Sequence, residues 1–367
     1  MSCDFISLAT VGVQDLNPYL PGKPPEELER ELGLTDVVKL ASNENPMGPS
    51  ENVLTAIKQQ LNGLSLYPDS GGYRLKNALS QQFGFSPEQV TLGNGSNDVL
   101  ELIGRAYLNP NDEVIYSEYS FVVYSLVTQA TGAKAVVTPA KNWGHDLDAM
   151  LSSITARTRI IFIANPNNPT GTWLTRQQLT AFLDKVPENV LVVLDEAYTE
   201  YVEEPEFPNG LSLLADYQNL IVTRTFSKAY GLAGLRVGFS VSNRQVANVL
   251  SRVRQPFNVN SLALVAAETA LTDQAYLTKA LELNQQGMKL FENTLSKLGL
   301  AYIPSVGNFI TVDVATDAQP IYQAMLEEGV IVRPVANYGM PNHLRISIGL
   351  PEENGRCLDV LAKVVSN

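Results

Sequence analysis

The sequence predicts an α/β fold: a large domain with a mostly parallel sheet flanked by helices, plus a smaller α+β domain. Three observations carry this. Runs such as Val190–Leu191–Val192–Val193–Leu194 are wholly apolar, the pattern of parallel strands buried on both faces. From Ser50 to residue 241, strand patterns alternate with helical ones, as a sheet covered by helices on both sides requires. The 367 residues also exceed the usual size of one core, so two domains are expected.

The first forty-five residues are rich in loop formers. Asn17–Pro18–Tyr19–Leu20–Pro21–Gly22–Lys23–Pro24–Pro25 is excluded from a helix interior by its prolines. A short helix over Glu26–Leu32 and a short strand over Val37–Ala41 lead to Asn43–Glu44–Asn45–Pro46. A long irregular stretch of this kind suits an arm lying over a site. Helices are then expected at 50–62, 73–83, 97–107, 120–131 and 175–186, the last opened by a Thr175/Gln178 capping box. Strands are expected at 89–92, 113–116, 134–137, 159–163, 190–194, 219–224 and 236–241. One long helical stretch, 260–298, leaves this unit. Strand 308–313, helix 319–328, strands 330–333 and 343–348 and helix 351–365 complete the smaller one. The division is 47–262 for the large domain, with 1–46 and 263–367 forming the small domain, against which the N-terminal arm packs.

Composition narrows the function. Apolar residues make up 45% and charged ones 17%, the balance of an ordinary globular protein. A formal net charge of −12 argues against nucleic acid and against anionic membranes as partners. Cys3 and Cys357 provide neither a disulfide framework nor metal spacing, which fits a reducing cytoplasm. With two histidines, His145 and His343, a histidine-rich metal site or a Ser–His–Asp triad is not expected, and no metal is assigned. The N-terminus lacks a basic leader, and no apolar run approaches the ~20 residues of a membrane span.

The chemistry concentrates in Thr225–Phe226–Ser227–Lys228–Ala229–Tyr230–Gly231–Leu232–Ala233–Gly234–Leu235–Arg236, which follows the strand Leu220–Ile221–Val222–Thr223. Thr225 and Ser227 offer hydroxyls and Arg236 a guanidinium, so an anion can be held beside one amine. A desolvated lysine near a second cation becomes a nucleophile toward carbonyls. An amine beside a phosphate cradle suits imine formation with pyridoxal phosphate. That cofactor needs a carboxylate at its ring nitrogen, and Asp195 ends the strand 190–194. Taken alone, Asp195 reads as a helix N-cap. Paired with Lys228 at the end of the next strand, it falls where open α/β sheets bind ligands. Gly93–Asn94–Gly95–Ser96–Asn97 adds a phosphate seat at a helix N-terminus. Tyr119 follows strand 113–116 as a candidate to stack on a ring. Asn168, in the turn Asn165–Pro166–Asn167–Asn168–Pro169–Thr170–Gly171, points an amide into the same crevice.

These motifs, in order with Asn43–Glu44–Asn45–Pro46, Tyr67–Pro68–Asp69 and Leu344–Arg345–Ile346–Ser347, resemble the fold-type-I pyridoxal-phosphate aminotransferases, and most closely the histidinol-phosphate aminotransferases. The resemblance runs along nearly the whole chain. It implies that Lys228 holds the cofactor as an imine and then shuttles the proton, while Asp195 pairs with the ring nitrogen. Asn168 and Tyr198 would bond the phenolate oxygen and Tyr119 would stack on the ring. Gly95, Ser96, Asn97, Thr225, Ser227 and Arg236 would surround the phosphate. Tyr67 would reach the partner subunit's phosphate, making a homodimer with shared sites. Tyr19, Asn45, Arg333 and Arg345 would meet the substrate. Asn97 departs from the pattern: many relatives are acidic there, and the change removes a charge near the phosphate. The implied reaction is exchange of an amino group between histidinol phosphate and 2-oxoglutarate, in histidine biosynthesis. Aromatic aminotransferases and phosphothreonine decarboxylases of the same fold share Lys228, Asp195 and Arg236, and these motifs do not separate them.

Overall fold

The computed structural model describes residues 3–18 and 22–366. Seven strands form the large sheet: β1 (Val90–Gly93), β2 (Glu113–Ser117), β3 (Lys134–Thr138), β4 (Thr158–Ala164), β5 (Leu191–Asp195), β6 (Leu220–Thr225) and β7 (Gly238–Ser242). Their order is β1-β7-β6-β5-β4-β2-β3, and each pairing is parallel except the two made by β7. Side chains of a strand point alternately to opposite faces, and here both faces are covered. Val192 and Leu194 of β5 pack with Phe182 and Phe226 on one face, while Val193 packs with Phe162 and Ile221 on the other. That explains why the strand reads as an unbroken apolar run.

Strand order locates the ligand crevice. From β2 the chain steps outward to β3, whereas from β4 it steps inward to β5. The carboxyl ends of β2 and β4 therefore flank a topological switch point, where connections diverge and leave a cleft. Two helices matter for the site: α1 (Ser96–Tyr107) follows β1 and α2 (Val122–Ala130) follows β2.

The smaller sheet comprises β8 (Ala301–Ile303), β9 (Phe309–Asp313), β10 (Arg333–Val335) and β11 (Met340–Ser347), ordered β8-β9-β11-β10 and antiparallel throughout. Its core combines Ile310, Leu344 and Ile346 with Phe291 and Leu358. Val38 and Leu40 share that core, and Val38–Lys39 pairs in parallel with Val330–Ile331. The segment before residue 46 is thus tied to the far end of the chain.

Some expectations need correction. The stretch 260–298 is two helices, Ser261–Thr272 and Gln274–Leu298, because the Asp273 carboxylate accepts from the Tyr276 amide (3.2 Å) and caps the second. Ala263, Ala266, Ala267 and Ala270 of the first are buried in the large core. The strand over 37–41 shortens to Val38–Lys39, and 330–333 divides into Val330–Ile331 and the start of β10. Helix Arg244–Val253 was not anticipated, although Val246, Ala247 and Leu250 recur at helical spacing and form its buried face. The Thr175 capping box is present in both directions. Among the described residues no helix is long and apolar enough to cross a membrane.

Candidate active site

A cavity of about 200 Å³ opens at the carboxyl ends of β4, β5 and β6. Its floor belongs to the large sheet. Lys228, three residues past β6, donates from Nζ to the Ser42 carbonyl (2.9 Å) and lies 5.7 Å from the centre of the Tyr198 ring. Burial and then the nearby Arg345 guanidinium disfavour its charged form and lower its pKa to about 7, against the opposing pull of Glu44. A neutral amine is therefore well populated at neutral pH.

Asp195 ends β5 and caps no helix. Its Oδ1 accepts from the Thr223 hydroxyl (2.9 Å) and its Oδ2 from the Tyr124 hydroxyl (3.0 Å). Burial raises its pKa, while these two donors act in the opposite sense. The carboxylate is oriented by neutral groups and still stabilised by any cation that enters.

The anion seat lies at the first turn of α1. Gly95 has a φ of +87°, and a Cβ there would run into the Arg236 guanidinium, so only glycine permits this approach. Arg236 donates to the Ser227 hydroxyl (3.2 Å), and the Thr225 hydroxyl accepts from the Ser227 amide (3.1 Å). Ser96, Asn97, Thr225, Ser227 and Arg236 all line the cavity. Asp98 turns away: its carboxylate accepts from the Asn94 amide and the Asn258 side chain, each at 2.8 Å. The acidic residue beside Asn97 thus serves the turn.

The opposite wall comes from residues 41–43 and the smaller sheet. Asn43, at a φ of +54°, donates from its side chain to the Tyr198 hydroxyl (2.9 Å), and its amide donates to the Ser347 hydroxyl (2.8 Å). Burial pushes the Tyr198 phenol up to about 12, so it remains a proton donor at neutral pH. Arg345 on β11 donates to Asn168 Oδ1 (2.5 Å) and to the Ala41 carbonyl (2.8 Å). Its Nε is buried with no hydrogen-bond partner among the described residues. Arg333 stands directly opposite Arg345 in the β10–β11 pair, and both line the cavity. Like charges across a strand pair are unfavourable until an anion compensates them.

Three expected site residues lie outside this cavity. Tyr119 does not line the cavity. Its left-handed backbone (φ +54°) in the turn after β2 carries the ring against Trp143, with centroids 5.1 Å apart, and Phe121 lines the cavity instead. Asn45 is also outside: its amide bonds the Ala229 carbonyl (2.8 Å) and the Tyr276 hydroxyl (3.0 Å), anchoring the segment after Lys228. Tyr67 is 82% exposed, stacked on Phe257 at 4.6 Å and away from this chain's own cavity. Tyr19 lies outside the described residues. Asn43, Phe121 and Tyr124 were missed. Asn43 stood in the same motif as Asn45, and Phe121 two residues past Tyr119, so a local signal existed. Tyr124 gave none, because its partner is 71 residues away.

Comparison with known proteins gives the chain a family. Residues 35–361 match the model of the family described as aminotransferase class I and II. The chain is 60% identical to histidinol-phosphate aminotransferase 2 of Pseudomonas fluorescens, over 100% of both chains. It is 58% identical to histidinol-phosphate aminotransferase 2 of Pseudomonas aeruginosa, over 99% of both. It superposes on the histidinol-phosphate aminotransferase of Sinorhizobium meliloti, solved in complex with pyridoxal-5'-phosphate, with a TM-score of 0.90, 31% identity and 97% of each chain covered. The chain belongs to the class I and II aminotransferase family and, within it, to the histidinol-phosphate aminotransferases.

Proposed function

We propose that this chain is a pyridoxal-phosphate-dependent aminotransferase that moves the amino group of histidinol phosphate to 2-oxoglutarate, in the cytoplasm and in histidine biosynthesis. The observation that carries this is the convergence of Lys228, Asp195 and Arg236 on one cavity whose far wall holds the Arg333–Arg345 pair. The donor set fits the cofactor. The Gly95 approach to Arg236 leaves an anion seat, and Asp195 is a buried carboxylate held by neutral donors.

Once bound, pyridoxal phosphate supplies a carbonyl that condenses with amines and a protonated ring that accepts the electron pair released at the substrate carbon. The protein supplies the rest. Lys228 Nζ would be the nucleophile toward that carbonyl and the base that takes and returns the substrate's proton. Asp195 holds the positive charge at the ring nitrogen. Arg236, with Ser96, Asn97, Thr225 and Ser227, holds the phosphate, while Asn168 and Tyr198 hold the phenolate oxygen. Phe121, rather than Tyr119, would provide the aromatic face beside the ring. Arg345, with Arg333, receives the substrate's anionic group; a guanidinium fork suits a phosphate and a carboxylate alike, as a two-substrate cycle needs.

We further propose a homodimer with shared sites. Tyr67 stacks on the exposed Phe257, and Leu64, Leu66 and Tyr73, close in the chain, are exposed too, apolar surface of the kind that marks an interface. The proposed division of the chain is 47–262 against 1–46 and 263–367. The burial of Ala263–Ala270 in the large core favours moving the second joint to Asp273.

A substrate panel tests the function. Histidinol phosphate, phenylalanine, tyrosine and phosphothreonine are each offered with 2-oxoglutarate, and glutamate and carbon dioxide are followed. Glutamate formation with the highest kcat/KM for histidinol phosphate is expected. A preference for phenylalanine or tyrosine, or carbon dioxide from phosphothreonine, would overturn the assignment.

A further inference from the structure

Asp195 is gripped from behind by a residue that never reaches the cavity. Tyr124, on α2, is fully buried, and its ring lies parallel to Phe162 with centroids 4.7 Å apart and an interplanar angle of 1°. Its edge meets Phe121, which does line the cavity, at 5.9 Å and 89°. The hydroxyl donates to Asp195 Oδ2 (3.0 Å) while Thr223 occupies Oδ1 (2.9 Å). One aromatic stack therefore sets both the carboxylate and the neighbouring cavity face. A ring clamped on two sides holds its hydroxyl in one place, so the carboxylate's remaining lone pairs are aimed without reorganisation.

We propose that Tyr124 is a positioning residue that keeps Asp195 ionised and aimed at the cofactor's ring nitrogen. This rests on the assignment of Asp195 to that nitrogen. Burial alone drives the carboxylate toward its neutral form, and a neutral acid would leave the ring nitrogen unprotonated and the electron sink weak. Burial also holds the Tyr124 phenol far above its ordinary range, so it donates its hydrogen bond without surrendering the proton. A neutral donor is suited to this task because it steadies the negative charge without cancelling it, as a lysine or arginine there would.

The test compares two ligands: pyridoxal phosphate and its carbocyclic analogue, in which the ring nitrogen is replaced by carbon. Dissociation constants are measured for wild type, Tyr124→Phe and Asp195→Asn. Phenylalanine keeps the stack on Phe162, and the melting temperature of each unloaded variant checks the fold. Tyr124→Phe is expected to weaken pyridoxal phosphate binding about tenfold, the scale of one hydrogen bond to a charged group, and to shift the absorbance of the bound cofactor. Affinity for the analogue is expected to stay within about twofold. Equal losses for both ligands would overturn the proposal and make Tyr124 a packing residue. Should Tyr124→Phe not accumulate as folded protein, Tyr124→Met gives the same comparison. Asp195→Asn separates the levels of the claim. If it too loses both ligands equally, the Asp195 assignment fails and this inference falls with it. If it discriminates and Tyr124→Phe does not, only the inference fails.

Discussion

The floor and the opposite wall of the cavity are built in different ways. The floor residues Asp195, Thr225, Ser227 and Lys228 sit within three positions of the ends of β5 and β6, on strands buried on both faces. The wall is assembled from distant parts of the chain: Asn43 bonds Ser347 and Arg345 bonds Ala41, each across 304 positions. The floor's charged groups are desolvated, with Lys228 lowered to about 7 and Asp195 raised. The wall instead presents two arginines side by side with like charge. A desolvated floor at the ends of buried strands suits steps in which charge develops, whereas a wall carrying two guanidinium groups suits capture of an anion. Floor substitutions should therefore act on kcat, and wall substitutions on KM.

The largest expected effect is at Lys228. Lys228→Ala should abolish multiple turnover while leaving the fold intact, because it removes both the nucleophile and the proton carrier. Near wild-type activity would remove Lys228 from the chemistry. The same group sets a pH dependence in the unloaded protein. A lysine whose folded pKa is about 7 binds fewer protons than in the unfolded chain between about 7 and the ordinary value of 10.5. Stability should therefore rise with pH across that window, and the rise should be missing from Lys228→Met.

Next comes Asp195→Asn, which should bind the cofactor yet lose at least about a hundredfold in kcat, some 2.7 kcal/mol, since an amide cannot hold the ring proton. An unchanged kcat would return Asp195 to a structural role. On the wall, Arg345→Leu should raise KM at least about tenfold in both half-reactions, the scale of a charge-assisted contact. Arg333→Leu should harm histidinol phosphate more than glutamate, because a dianion profits more from a second cation. Equal, small effects at Arg333 would leave the phosphate without its proposed second partner and blur the contrast between floor and wall. Tyr67 is the subtlest case. Tyr67→Phe mixed with Lys228→Ala should regain part of the activity, as one site of the mixed dimer would carry both lesions and the other neither. No recovery after verified subunit exchange would keep Tyr67 out of the partner's site.

The contrast also governs what could be read from the sequence. Floor residues were legible because a buried parallel strand announces itself as an apolar run, and the residue just past it is placed by the strand. Lys228, Asp195, Asn168 and the Gly95–Asn97 turn follow that logic. Arg333 and Arg345 were reached only through family resemblance, since nothing in their local pattern says that two strands will set them opposite each other. Tyr119 was displaced by a backbone angle: at φ +54° the turn sends its ring to Trp143, and Phe121 takes the cavity position. Asn45 and Asn43 share one motif, and only tertiary hydrogen bonds decide which of them faces the cavity. The break at Asp273 was hidden because apolar residues continue on both sides of a capping side chain.

The central claim is that Lys228 forms the covalent link to the cofactor. Protein loaded with pyridoxal phosphate is reduced with borohydride, digested, and mapped by mass spectrometry. A single phosphopyridoxyl label on the peptide containing Lys228, absent from Lys228→Ala, is the expected result. A label confined to another lysine, or no stable label with the cavity residues intact, would contradict it.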